Sequence, residues 1–249
     1  MPVLTIIGSS NAIPTLNRDT TYLTLQTEEK YILIDCGTNA FVRLVHSGMS
    51  PDQLTDIIIT HFHPDHVVGL PLLLMDLWLL GRKEPLVIHG LVESITRIEK
   101  MMSLFGWENW PEFFKVSFMV IPADKSIILS DSSVKLWSTP VKHLIPTIGL
   151  RVDGLIQPFS IAYTCDTEPC QGVNDLALGA DILIHESAGN AKGHSTAAQA
   201  GEAAARAEVD KLVLIHYPDH TEESKLINEA AVKYSGEIIA AADGMSFSW

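Results

Sequence analysis

The sequence predicts an α/β chain of two packed sheets with helices on their outer faces. Three observations carry that prediction. Short runs of β-branched and apolar residues recur along all 249 residues, helical stretches alternate with them, and no linker or low-complexity segment divides the chain. The first half opens on hairpin-like strands and the second repeats strand and helix, so one domain over residues 1–249 accommodates both patterns. With 47% apolar and 19% charged residues, the chain can bury a substantial core.

The strand-like runs are, in order, "VLTII" from Val3, "TYLTL" from Thr21, "YILID" from Tyr31, "DIIIT" from Asp56 and "PLVIHG" from Pro85. The second half continues with "SIILS" from Ser126, "VKLWS" from Val134, "FSIAYT" from Phe159, "DILIH" from Asp181, "KLVLIH" from Lys211 and "EIIAA" from Glu237. The longest apolar run, Leu70 to Leu80, is broken by Pro71 and Asp76 and is too short to cross a bilayer. It reads as a buried helix or part of a subunit contact. The aromatic-rich stretch from Met101 to Phe118 reads as helical core packing. The alternative is an apolar wall beside a substrate or a dimer contact, because Gly106 and Pro111 interrupt it around Trp107 and Trp110.

Seventeen basic against thirty acidic residues give a net charge of -13, so the average surface repels nucleic acid. Cys36, Cys165 and Cys170 form no C-x-x-C pair and cannot all be paired, which indicates neither a disulfide framework nor a zinc ribbon. A reducing, cytoplasmic setting is expected. The start "MPVLTIIGSS" lacks the basic and apolar regions of an export signal.

"DIIITH" ends on His61, "DILIHE" on His185 and Glu186, and "KLVLIH" on His216. Open α/β sheets place chemistry at such strand ends, where loops are free of packing duty. The likeness of the three runs also points to a weak internal repeat. Behind the first of them, "HFHPDH" crowds His61, His63, Asp65 and His66 into six positions. Imidazole and carboxylate donors without thiolate suit zinc, manganese or iron in a reactive site rather than a purely structural zinc. One turn cannot aim all four at a single tetrahedral ion without strain. Alternate residues leaving a strand can instead face two positions, His61 and His63 toward one ion, Asp65 and His66 toward another. Two ions need further ligands, and His143, Asp166 and His216 each follow a strand-like run. His46, His89 and His220 are read as core or surface residues without metal.

The pattern H-x-H-x-D-H followed by a distant His, Asp and His resembles the metallo-β-lactamase superfamily. Within it, "GSSNAIPTLNRDTTYLTL", "YILIDCGTNAFVRL", "THFHPDHVVGLPLLL", "IAYTCDT", "LIHESAG", "GHSTAAQAGEAA" and "LVLIHY" follow the order of the ribonuclease Z group over most of the chain. The resemblance implies a four-layer αββα sandwich, the metallo-β-lactamase fold, with two mixed sheets. It implies two divalent metal ions, zinc first with manganese or iron as alternatives, and a homodimer. His61, His63 and His143 would bind one ion, Asp65, His66 and His216 the other, and Asp166 would bridge. Two such cations lower the pKa of a shared water enough to make hydroxide available near neutral pH. Asp65 is placed to orient that nucleophile or take a proton, and Asp35 to orient a ligand rather than bind metal. Glu186 and His194 match the group's catalytic pair, an imidazolium held by a carboxylate that protonates the leaving oxygen. Ser195 and Thr196 would cap the alanine-rich helix that follows.

Three departures from the group matter, the first for Glu186, the second for local backbone or redox behaviour and the third for substrate. "HESA" replaces the usual H-E-A-T, and Cys165 stands where the group has glycine before the bridging aspartate. Asp166 follows His143 by only 23 positions, where transfer-RNA-processing enzymes insert a long basic arm. The expected function is therefore a dinuclear, metal-dependent phosphodiesterase acting on small or cyclic phosphodiesters through metal-bound hydroxide. A transfer-RNA 3'-end endoribonuclease and a lactonase or other ester hydrolase are the alternatives, and no membrane partner is expected.

Overall fold

Each sheet begins as an antiparallel meander and turns parallel halfway along. In the computed structural model, which describes residues 1–249, the chain enters through β1 (Val3–Gly8), β2 (Tyr22–Gln26) and β3 (Tyr31–Ile34), which pair antiparallel. β4 (Asp56–Ile59), β5 (Leu86–Gly90) and β6 (Val116–Val120) then each run parallel to the strand before. The second sheet repeats the plan. β7 (Ser126–Ser130), β8 (Val134–Val141), β9 (Thr147–Gly154) and β10 (Ser160–Tyr163) are antiparallel, and β11 (Ile182–Glu186), β12 (Lys211–Ile215) and β13 (Glu237–Ala240) continue in parallel. β14 (Ser246–Ser248) returns to pair with β1, so each sheet has seven strands.

Parallel neighbours require crossovers, and helices supply them. α1 (Ala40–His46), α3 (Leu70–Leu79) and α4 (Val92–Leu104) cover the first sheet, with the single turn α2 (Pro64–Val67) between them in sequence. α5 (Gln171–Ala177), α6 (Ala197–Ala207) and α7 (Glu223–Ala231) cover the second. The expected four layers follow from residue alternation. On β4, Ile58 faces the second sheet while Ile57 and Ile59 face the helices; on β11, Ile182 and Ile184 face inward and Leu183 outward. Strands buried on both faces read as unbroken apolar runs for this reason. β4 and β11 occupy equivalent places, each the first strand parallel to its meander, which accounts for the likeness of "DIIITH" and "DILIHE".

Three strands lay outside the runs read from sequence: β6, β9 and β14. β9 alternates Ile148, Leu150 and Val152, which face the core between the sheets, with Gly149, Arg151 and Asp153, and Arg151 donates to the carbonyls that end α5. The aromatic stretch is helical only to Leu104. Gly106 at φ 64° breaks it, a short 3₁₀ turn holds Trp107, and the rest leads into β6. Its rings from Trp107 onward pack on the first sheet's outer core, with Trp110 stacked on Trp78, while Phe105 is exposed. The Leu70 to Leu80 run is a helix that buries Leu70, Leu73, Leu74 and Leu77 and leaves Leu79 and Leu80 exposed. No helix is long and apolar enough to cross a membrane.

Candidate metal centre

The ends of β4, β10 and β12 and the turn after β8 meet at one edge of the sandwich. β4 delivers Thr60 and His61; His63 is extended, and Pro64 at the first position of α2 turns Asp65 and His66 back toward His61. His143 leaves the turn between β8 and β9, Asp166 follows β10, and His216 follows β12. Their donor atoms form two groups, His61, His63, His143 and Asp166, and Asp65, His66, Asp166 and His216; within each, all donors lie within 4.8 Å of one another. Asp166 belongs to both.

The individual separations suit cations. His63 Nδ1 lies 3.1 Å from His61 Nε2 and 3.0 Å from His143 Nε2, and those two lie 4.0 and 3.9 Å from Asp166 Oδ2. In the second group, His66 Nε2 is 3.4 Å from Asp65 Oδ2 and 3.6 Å from Asp166 Oδ1, and His216 Nε2 is 3.3 Å from Asp166 Oδ2. Zinc–nitrogen bonds of about 2.0–2.1 Å in a tetrahedron set donors roughly 3.4 Å apart. His66 Nε2 and Asp166 Oδ1 are buried without any hydrogen-bond partner, a costly arrangement that a cation between the groups resolves. The residues present therefore fit two metal ions.

Four imidazoles are held in the tautomer a ligand needs. His66 Nδ1–H donates to Asp35 Oδ2 at 2.8 Å, and His143 Nδ1–H donates to the Gly193 carbonyl at 2.6 Å. The Thr60 hydroxyl is spent on Asp35, so its oxygen accepts His61 Nδ1–H at 3.1 Å. The Thr21 hydroxyl is spent on the Ser10 carbonyl, so its oxygen accepts His216 Nδ1–H at 3.0 Å. Each remaining Nε2 points its lone pair inward. Burial holds His61 well below the usual histidine range, lowers His63 and His143, and brings His216 down to about 4. His66 differs: burial opposes its charge, but Asp166 and Asp35 raise it well above the usual value. Burial would likewise raise Asp166, yet His216 and His66 hold it well below the carboxylate range.

Beside the two groups stands a second pair. Glu186, the last residue of β11, is fully buried; its Oε1 receives His194 Nδ1–H at 3.0 Å, Ser195 N–H at 3.0 Å and Thr167 N–H at 3.1 Å, and its Oε2 receives Ala188 N–H at 2.8 Å. Burial pushes the Glu186 carboxyl up to about 7, and the hydrogen bond to Glu186 raises His194. The His194 ring lies 5.0 Å from that of His143 and stacks near-parallel on His216 at 5.9 Å. Of the two expected caps of α6, Thr196 is the one, in a capping box with Gln199; Ser195 instead donates its hydroxyl to the Thr167 carbonyl. His185 turns away, its Nδ1–H on the Glu186 carbonyl, and His89 sits on Asp56.

Three strand ends share a backbone device that spacing did not reveal. Asp35, Cys165 and His216 have φ values of 63°, 54° and 58°, the left-handed region that non-glycine residues rarely occupy. The group's usual glycine before the bridging aspartate has its reason there. Cys165 fits because its buried thiol packs 3.0 Å from Thr60 Oγ1 and 3.6 Å from His61 Nδ1. Thr21, Thr60 and Thr167 were not singled out in the sequence. Their only local signal is a hydroxyl within a few residues of a strand end.

The chain is similar to known proteins in sequence and in fold. Ribonuclease Z of Methanothermobacter thermautotrophicus is 29% identical, over 93% of this chain and 91% of that protein. The structure of the metallo-β-lactamase fold protein YhfI from Bacillus subtilis superposes with a TM-score of 0.84 at 21% identity, covering 99% of this chain and 98% of that one. The short form of human tRNase Z gives a TM-score of 0.79 at 25% identity, with 100% and 99% covered. The fold is that of the metallo-β-lactamases, and with ribonuclease Z-like relatives the protein is a metal-dependent hydrolase. A family model described as Anti-Pycsar protein Apyc1 matches residues 2–235, nearly the whole length, and the chain belongs to that family.

Proposed function

We propose that the protein is a dinuclear phosphodiesterase acting on small or cyclic phosphodiesters. His61, His63 and His143 would hold one cation, Asp65, His66 and His216 the other, and Asp166, which belongs to both groups of donors, would serve both. Zinc is the cation proposed, because imidazole-rich sites with one carboxylate suit it, although manganese or iron share the same donors. Two divalent cations bound there supply Lewis acidity, which lowers the pKa of a coordinated water toward neutrality and draws charge from phosphoryl oxygens.

The observation that carries the reading is the position of His194, one proton donor overlooking both groups of ligands. Its Nδ1 is engaged by Glu186, which leaves Nε2 to protonate the departing alkoxide. Asp65, whose side chain is 12% exposed, is the carboxylate able to reach the attacking water and take its proton. His61, His66, Asp166 and His216 are almost wholly buried and close the floor of the site to solvent. A small substrate is favoured because β9 and β10 with short turns take up the interval from His143 to Asp166, leaving no arm to grip RNA, and because the net charge is -13. The free thiols fit a reducing cytoplasm, and exposed Leu79 and Leu80 at the C-terminal end of α3 fit a homodimer contact.

The test is a substrate panel with metal-replete protein: an activated phosphodiester, 2',3'- and 3',5'-cyclic nucleotides, an acyl-homoserine lactone and a transfer-RNA precursor. Turnover of a small phosphodiester that His194→Ala lowers by about 10²–10⁴-fold supports the reading. Lactone cleavage alone, retained in His194→Ala, overturns it in favour of carbonyl chemistry. Cleavage of the RNA precursor with steeply salt-dependent affinity would make it a transfer-RNA nuclease.

A further inference from the structure

We propose that Arg18 is a positioning residue for the Asp65, His66 and His216 cation, acting through the backbone of His216. The inference rests on the assignment of His216 as a ligand made above. A histidine at φ 58° is strained, and such a conformation persists only where the surroundings over-determine it. One loop, Ser9 to Thr21, does so. The Ser9 carbonyl accepts the His216 N–H at 3.0 Å, and Thr21 holds the ring from the other side at Nδ1.

Arg18 locks that loop to the turn. Its Nη2 donates to the Ser9 carbonyl at 2.8 Å and to the Tyr217 carbonyl at 3.1 Å, its Nε donates to Ser9 Oγ at 3.1 Å, and its guanidinium lies 3.7 Å from the centre of the Tyr217 ring. The same nitrogen thus holds the carbonyl that receives the His216 N–H and the carbonyl of the residue that follows His216. Ser9 Oγ donates onward to Asp243 Oδ1 at 2.8 Å, and Asp243 Oδ2 receives the Asp19 N–H at 2.8 Å, which ties the loop to the segment before β14. Tyr217 is itself fixed by its hydroxyl on the Ala241 carbonyl at 2.9 Å. A planar fork that also stacks can do this; an ammonium cannot.

None of the Arg18 bonds reaches a ligand side chain, and His61 and His143 take their support from Thr60 and Gly193. The two cation positions should therefore depend on Arg18 unequally. Groups that orient ligands in this way typically govern metal affinity by about 10–100-fold.

The experiment titrates metal-stripped, full-length protein with Zn²⁺ against a chromophoric chelator, for the native chain, Arg18→Ala, Arg18→Lys and Arg82→Ala. Arg82 is the control: a buried arginine that likewise donates to backbone carbonyls, of Asp52, Leu54 and Pro85, at the opposite ends of β4 and β5. The expected result is two ions on the native chain. Arg18→Ala keeps one at native affinity and binds the other about 10–100-fold more weakly, lysine fails to restore it, and raised zinc recovers turnover. Arg82→Ala lowers the melting temperature and leaves both affinities alone. Native affinity for both ions in Arg18→Ala, full rescue by lysine, or an equal fall at both positions shared with Arg82→Ala would overturn the proposal. A native chain that takes up fewer than two ions overturns the dinuclear reading itself, and the unsubstituted protein reveals that separately.

Discussion

Asp35 Oδ2 accepts the Nδ1–H of His66 at 2.8 Å, and the same carboxylate holds the Thr60 hydroxyl whose oxygen receives the Nδ1–H of His61. One buried acid thereby orients a histidine in each group of ligands. Asp35→Ala should weaken both cation positions by about 10–100-fold, in contrast to the one-sided effect expected of Arg18. It also strands the Thr60 N–H and His66 Nδ1–H, at about 1–3 kcal/mol for each buried donor left unpaired. Chelator competition measures the first effect and urea denaturation of the metal-free protein the second.

The Glu186 and His194 pair sets a pH dependence with a definite sign. Glu186 stands at about 7 instead of 4.5 because it is buried, and His194 is raised above 6.5 by its hydrogen bond to Glu186. Folded protein therefore holds more protons on the pair than the unfolded chain does, so the pair's contribution to stability is greatest below the unfolded values and declines as pH rises through the folded ones. Nuclear magnetic resonance of the metal-free protein should show His194 titrating above 6.5. Glu186→Gln should bring that midpoint down and shift the alkaline limb of the activity profile toward lower pH. A His194 midpoint indifferent to Glu186→Gln would contradict the pairing.

Gly193 separates the two histidines that share its peptide. It sits at φ 88°, its carbonyl accepts His143 Nδ1–H, and a Cβ there would come within 2.9 Å of His143 Nδ1 and Leu144 Cγ. Its N–H is taken by Glu168 Oε1 at 2.9 Å, which pins the preceding peptide and limits how far the residue can shift to make room. Gly193→Ala should displace His143 and lose affinity at the His61, His63 and His143 position, with turnover falling at least tenfold. Retained two-metal binding in this variant would show that His143 does not depend on the peptide.

Thiol reactivity should separate the three cysteines. Cys36 and Cys165 are buried, and burial pushes both thiols up, whereas Cys170 is only half-buried. A chromogenic disulfide reagent is expected to label one thiol per native chain and three after denaturation. Rapid labelling of Cys165 in native protein would mean that the packing between Thr60 and His61 opens readily.

Much of this protein is written locally. Apolar runs buried on both faces marked β4, β11 and β12, the crowding of His61, His63, Asp65 and His66 marked a metal-capable loop, and the polar residues before the alanine-rich stretch marked the start of α6. These signals survive in one dimension because strand alternation, helix capping and ligand crowding act between near neighbours. β9 lacks a continuous apolar run, because Ile148, Leu150 and Val152 alternate with Gly149, Arg151 and Asp153, and β6 escaped because aromatic residues pack equally well on helices and strands.

The tertiary structure alone decided how His143, Asp166 and His216 meet the loop after β4, because their approach depends on two sheets packing face to face. It also decided the support behind each imidazole. Thr21 is 195 residues from His216 and Gly193 is 50 from His143, so no spacing rule joins them. The left-handed turns at Asp35 and His216 were invisible for a related reason, whereas the glycine that Cys165 replaces hinted at the third. Glycine normally announces that conformation, and here tertiary hydrogen bonds and packing hold side chains in it instead.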